Sequence, residues 1–174
     1  TGGTSECMSP TEQPGWHTYD ISPDGKWAVH SYSTFMTPPR IDLIRLQDHA
    51  VQRVFTDNGK LCSKLASLDQ PSAEFFRVKI EKDLELDGWC LKPPAFDEGR
   101  KYPLFFFVYG EPHGQTVRDA WSGSRSLWHW MLAQRGYIVV SVDNRGTDSP
   151  RGRDWRKCVY RKIGIIAPEE QAAA

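Results

Sequence analysis

The sequence has 174 residues, with 22 Lys and Arg against 22 Asp and Glu and a formal net charge of zero. That length holds one domain or two small ones, and the neutrality gives no electrostatic basis for binding nucleic acid or an anionic membrane. No run approaches the ~18 apolar residues of a membrane span. Four cysteines (Cys7, Cys62, Cys90, Cys158) and five histidines are scattered without CxxC or zinc spacing, so free packing thiols, no metal site and no cofactor are expected.

The first six residues have neither a basic nor an apolar region, so no targeting segment is read there, and the chain does not begin with Met. It is expected to be processed, trimmed or a fragment. Residues 1–13 are polar and read as a loop. From Gly15 the pattern alternates, and Ser22-Pro23-Asp24-Gly25 is a turn in which Pro fixes φ and Gly supplies the left-handed position. Further strands are expected over 26–33, 40–46 and 51–56. Four antiparallel strands in so short a stretch match one blade of a β-propeller, with a small independent meander over 15–56 as the alternative.

Apolar residues at 61, 65 and 68 suit a short helix. Alternation returns over 73–80, and Asp87-Gly88 is expected to turn a hairpin into a strand closed by Pro93-Pro94. Residues 104–109 carry no charge and no alternation, which reads as a parallel strand buried on both faces. A helix follows over 121–135, with Ser122 and Ser124 as candidate caps, Leu127, Trp128, Met131 and Leu132 as its apolar face, and Gly136 at the C-cap. A second apolar strand ends at Asp143, completing a βαβ crossover. The basic tract from Arg151 to Lys162 reads as a solvated, salt-bridged surface segment. Near Pro168 a last helix begins, with Glu169 and Glu170 placed to favour its dipole.

A hydrolase on this sheet needs a G-x-S-x-G nucleophile elbow after a strand. None is present, and Gly123-Ser124-Arg125-Ser126 lies at a helix start. His113 and His129 have no nucleophile beside them and read as surface or packing residues. Tyr109 sits at the carboxyl end of the central strand, where open α/β sheets place their chemistry. Its phenol is a candidate oxyanion donor; it reads equally as the last aromatic of a buried strand.

Lys101-Tyr102-Pro103-Leu104, Val108-Tyr109-Gly110-Glu111-Pro112, Ser141-Val142-Asp143-Asn144-Arg145-Gly146-Thr147, Trp155-Arg156-Lys157 and Lys162-Ile163-Gly164 together resemble the dipeptidyl peptidase IV family of the prolyl oligopeptidase group, bacterial members above all. The likeness covers most of 14–174, is specific over 101–164 and weaker upstream, where Gly15-Trp16-His17 and Ser22-Pro23-Asp24-Gly25 resemble a final propeller blade and Asp87-Gly88 a first hydrolase hairpin.

The resemblance implies the last propeller blade and a linker in residues 1–70, and the truncated N-terminal part of an α/β-hydrolase domain in 71–174. It implies a serine peptidase that releases dipeptides, often Xaa-Pro or Xaa-Ala, from peptides with a free N-terminus, and it implies Tyr109 in the oxyanion hole. The family's nucleophile, acid and base match no position here, nor do its amine-binding acids, so the chain alone is expected to be inactive and to expose apolar strand edges. Substrate-binding residues and dimerisation of the full-length protein stay open, and the family's periplasmic, secreted or membrane-anchored settings suggest the compartment. An oligopeptidase, an acylaminoacyl peptidase and a non-catalytic homologue are the alternatives.

Overall fold

The computed structural model describes residues 7–110 and 112–174. Residues 1–6 of the expected N-terminal loop, and Glu111 of the Val-Tyr-Gly-Glu-Pro motif, lie outside the described residues. The chain divides into two compact units. The first runs up to Leu68 and includes Asp119–Ser126; the second comprises Asp69–Arg118 and Leu127–Ala174.

In the first unit β1 (Trp16–Ile21), β2 (Trp27–Ser33), β3 (Arg40–Arg45) and β4 (Ala50–Thr56) form an antiparallel meander in sequence order. The β1–β2 turn closes as its residues demand. Gly25 has φ 67, and its N–H donates to the Ser22 carbonyl at 2.9 Å. Asp24 Oδ1 accepts from Ser22 Oγ at 2.7 Å and from the Lys26 N–H at 3.1 Å. Period-2 alternation then buries Ala28 and His30 opposite Ile44 and Asp42, while Trp27 and Val29 face outward. A short helix, α1 (Gly59–Ala66), follows. Asp119–Ser126 is tied to this unit by two bonds: Asp119 Oδ1 accepts the Phe35 N–H at 2.6 Å, and Ser33 Oγ accepts the Trp121 N–H at 3.2 Å.

One face of the meander carries a chain of imidazoles. His17 Nε2 lies 2.8 Å from the Gln13 carbonyl, and His17 Nδ1 lies 2.8 Å from His30 Nε2. A carbonyl oxygen only accepts, so the hydrogen of neutral His17 sits on Nε2, and His30 Nε2–H donates to His17 Nδ1. His30 also stacks on Tyr19 and meets His49 edge-on, while Tyr19 and His49 are hydrogen-bonded at 3.1 Å. Burial, with the charges of His49 and His17, pushes His30 down to about 4; Asp42 opposes them weakly.

In the second unit β5 (Ser72–Glu81), β6 (Leu84–Lys92), β7 (Leu104–Phe106), α2 (Ser124–Gln134), β8 (Ile138–Asp143), α3 (Gly152–Lys157) and α4 (Ile166–Ala173) follow in order. The sheet order is β5-β6-β8-β7, antiparallel except for the parallel β7–β8 pair that α2 connects. This is the expected crossover.

Four sequence expectations need correction. The hairpin expected at Asp87-Gly88 turns instead at Lys82-Asp83, with Glu81 opposite Leu84. Gly88 lies inside β6 opposite Phe76, and a Cβ there would meet the Phe76 ring at 2.5 Å. The glycine admits a cross-strand aromatic and makes no turn.

Residues 104–109 are not buried on both faces. Pairing stops at a three-residue edge strand, and Leu104 is 60% exposed. A strand is covered only where neighbours flank it, and among the described residues β7 has β8 on one side alone.

In α2 the buried positions are Ser126, His129, Trp130 and Ala133, an i, i+3, i+4, i+7 stripe, while Leu127 and Trp128 face outward. Its start shows Ser126 Oγ accepting the Ser122 N–H at 2.9 Å, so Ser126 is the serine that serves the backbone there. Finally, Glu170 does not merely face the dipole of α4. It is buried, and its carboxylate accepts from the Arg145 side chain and, at 2.8 Å, from the Arg145 N–H.

The core of this unit joins Leu86, Val142 and Trp155, flanked by Phe76, Val78 and Phe106. The basic tract is anchored through Trp155, whose Nε1–H donates to Thr147 Oγ1 at 3.2 Å, and through Arg151, which pairs with Asp87 at 2.7 Å. All four cysteines are free, and burial raises the Cys90 thiol above its ordinary value.

Two outcomes test these packing arguments. An unfolded histidine takes up its proton near 6.5, and folded His30 resists until about 4. The unfolded state therefore binds more protons between those values, so stability is full above 6.5 and falls as pH drops toward 4. Chemical denaturation across that window should show a loss on the order of 2–3 kcal/mol, flattened in His30→Gln. Separately, Gly88→Ala should destabilise by roughly 1–3 kcal/mol through overpacking. It should cost less in a Phe76→Ala background, as a double-mutant cycle would read.

Candidate active site

β7 and β8 run parallel, so their carboxyl ends lie side by side. Beyond Phe106 the backbone holds one more sheet bond, from the Phe107 N–H to the Val140 carbonyl at 2.8 Å, and then leaves the sheet. Gly110, with φ 75, makes the bend. Tyr109 stands just before it and is 55% exposed. Its ring lies against Gly114, where a Cβ would come within 1.8 Å of the ring carbons. Glycine is thus the residue that lets the loop fold under this aromatic.

That loop is fixed by a buried carboxylate. Asp143 closes β8 and is 3% exposed. Its Oδ1 accepts from the Thr116 N–H at 2.9 Å and from Thr116 Oγ1 at 2.7 Å, and its Oδ2 accepts from the Val117 N–H at 3.0 Å. Thr116 Oγ1 also meets Ser141 Oγ at 2.8 Å, and Ser141 donates to the Phe107 carbonyl at 2.6 Å. Trp89 Nε1–H donates to the Thr116 carbonyl at 3.0 Å. Two strands of the sheet, β6 and β8, thereby grip one turn of loop. A carboxylate that accepts several N–H and O–H donors replaces the water it lost on burial.

A second network steadies the other side. Gln171 on α4 donates to the Val142 carbonyl at 2.7 Å and to Asn144 Oδ1 at 2.9 Å. Asn144 Nδ2 then donates to the Arg145 carbonyl at 2.7 Å and reaches the Gly110 carbonyl, beside Tyr109, at 3.5 Å.

Of the residues singled out in the sequence, Tyr109 is presented at the strand end, whereas His129 is enclosed between the rings of Trp89 and Phe107 and serves packing. His113 is exposed, with φ 66. Asp143, Thr116, Gly114 and Gln171 were not singled out as site residues. The one signal for Asp143 was a lone acid terminating an apolar strand. Among the described residues no group of three or more His, Cys, Asp or Glu could hold a metal ion.

Asp143→Asn removes the charge and one acceptor from this grip. It should cost roughly 2 kcal/mol and speed hydrogen exchange at the Thr116 and Val117 amides while leaving β5 protected.

No family model matches the sequence. A "Probable dipeptidyl peptidase 4" of Trichophyton verrucosum is 29% identical over 176 residues, covering 98% of this chain and 23% of that protein. In structure, the chain is similar to Porphyromonas gingivalis dipeptidyl peptidase 4, with a TM-score of 0.83 and 33% identity over 91% of this chain and 22% of that one. It is also similar to a Pyrococcus horikoshii acylaminoacyl peptidase, with a TM-score of 0.66 and 26% identity over 90% of this chain and 23% of that one. The chain thus spans less than a quarter of the length of these relatives. Sequence and fold agree along almost all of it: the chain belongs to the dipeptidyl peptidase IV family.

Proposed function

We propose that this chain is part of a serine-type dipeptidyl peptidase, with residues 1–70 supplying a propeller blade and 71–174 the first part of an α/β-hydrolase domain. In this reading Tyr109 is an oxyanion donor. When a serine hydroxyl adds to the carbonyl carbon of the scissile peptide bond, the C=O π electrons move onto oxygen. A phenol O–H held at that point stabilises the new charge more than it stabilises the neutral carbonyl, which lowers the barrier. The observation that carries the reading is the placement of Tyr109: exposed at the carboxyl end of β7, seated on Gly114, and held by a loop bound to Asp143. None of the 174 residues is assigned as nucleophile, acid or base, so the chain alone is inactive.

The substrates in this reading are peptides with a free N-terminus, often Xaa-Pro or Xaa-Ala. The likeness to an acylaminoacyl peptidase favours one second reading, a peptidase acting on N-blocked peptides. The test compares this chain with the protein of the complete reading frame on Ala-Pro-coumarin and its N-acetyl counterpart. Release from the free-amine substrate by the longer protein alone, reduced about 10²–10³-fold in kcat by Tyr109→Phe, is the expected result. Preference for the acetylated substrate supports the second reading, and full activity of Tyr109→Phe removes the oxyanion role.

A further inference from the structure

The segments that follow β7 and β8 enclose a groove of about 470 Å³. Pro112 and His113 form its wall on the β7 side, a few residues beyond Tyr109. Gly146 and Asp148 form the wall on the β8 side, and α3 with the turn after it completes the lining. The base is apolar: Val159 is buried there because Gly146 has no side chain, and a Cβ at 146 would meet Val159 at 2.6 Å. Two non-glycine lining residues adopt left-handed backbone, His113 with φ 66 and Arg161 with φ 59. Such conformations are uncommon outside glycine and concentrate where a loop is shaped for contact.

The charge on this groove is one-sided. Among the described residues, Arg153, Arg156, Lys157 and Arg161 line it, against the one carboxylate of Asp148. Asp148 approaches Arg156 at 3.8 Å only. Among the described residues Arg153, Lys157 and Arg161 form no ion pair. In a chain whose formal charge is zero, this is a local concentration of unneutralised cations over an apolar base, next to the strand end that presents Tyr109. The tract expected to be salt-bridged is so only at Arg151 and, loosely, at Arg156.

We propose that this groove binds a carboxylate of the peptide substrate, either an Asp or Glu side chain or the peptide's own C-terminus, and so selects acidic peptides. The proposal rests on the peptidase reading above. The apolar base accommodates peptide side-chain carbons, the cations meet the carboxylate, and two lining residues, Pro112 and His113, follow within four residues of Tyr109 in the chain. Arginine fits this role because its planar fork matches a carboxylate.

Two measurements test it. In the first, the 174-residue chain is titrated calorimetrically with Ala-Pro-Glu-Glu peptides bearing free or amidated C-termini, and with the Gln counterparts. The acidic peptides should bind more tightly than Ala-Pro-Gln-Gln amide. The advantage should fall with salt and shrink roughly three- to tenfold in Arg153→Gln/Lys157→Gln, two exposed positions with no ion pair to lose. Arg53→Gln, on the other unit, should leave it unchanged. The free-versus-amidated comparison tells a C-terminal carboxylate from a side chain. Equal binding of Glu and Gln peptides whatever their termini, or complete displacement by inorganic phosphate at equal concentration, overturns the proposal.

In the second, kcat/KM of the complete reading frame is compared for acidic and neutral peptides, with and without the double substitution. Activity that ignores peptide charge overturns the groove and leaves the peptidase standing. Absence of activity on every peptide overturns the peptidase reading, and the proposal with it.

Discussion

A single buried carboxylate organises the end of the second sheet. Asp143 terminates β8 at a buried strand end, and its two oxygens accept from Thr116 and Val117. These donors lie 26 and 27 residues away in sequence, so ordering that loop carries a large conformational cost. Charge-assisted hydrogen bonds in a dry site offset it. The carboxylate contributes the largest share of the bonds that hold the loop carrying Gly114 beneath Tyr109. Ser141 and Trp89 reach the same turn, so the loop is bound to the sheet at several points rather than hinged at one.

What the sequence disclosed follows from what periodicity can carry. The meander was legible because alternation and the Ser22-Pro23-Asp24-Gly25 turn state the same register twice. The crossover was legible because an apolar strand, a helical stretch and a second apolar strand leave few other topologies. Three of the errors share one cause, apart from the exposed edge strand β7: each residue involved answers to a partner distant in the chain. Asp87-Gly88 has the composition of a turn, yet Gly88 exists for the Phe76 ring across the ladder. Leu127 and Trp128 are the more hydrophobic face of α2, yet the helix turns Ser126 and His129 inward, where His129 meets Trp89 and Phe107. Glu170 fits a dipole argument locally and a pairing with Arg145 globally, and the pairing prevails because it satisfies a buried charge.

The site was legible to the same degree. Tyr109 was visible as a strand-end aromatic beside a glycine, whereas its supports were not, since Gly114, Thr116, Asp143 and Gln171 have no common spacing. Pattern alone left Tyr109 balanced between packing and an oxyanion role, and the resemblance to a family implies the latter. A dipeptidyl peptidase 4 and an acylaminoacyl peptidase share this part of the fold.

The imidazole chain of the first unit has a consequence of its own. The Gln13 carbonyl fixes the direction in which hydrogens point along His17 and His30. Between the two rings there is one lone pair and one hydrogen. Moving the hydrogen of His17 to Nδ1 would leave Nε2 with only a lone pair against the Gln13 carbonyl and force His30 to carry its hydrogen on its other nitrogen. One backbone carbonyl thereby orders two side chains in series, a relay of orientation that ends inside the sheet.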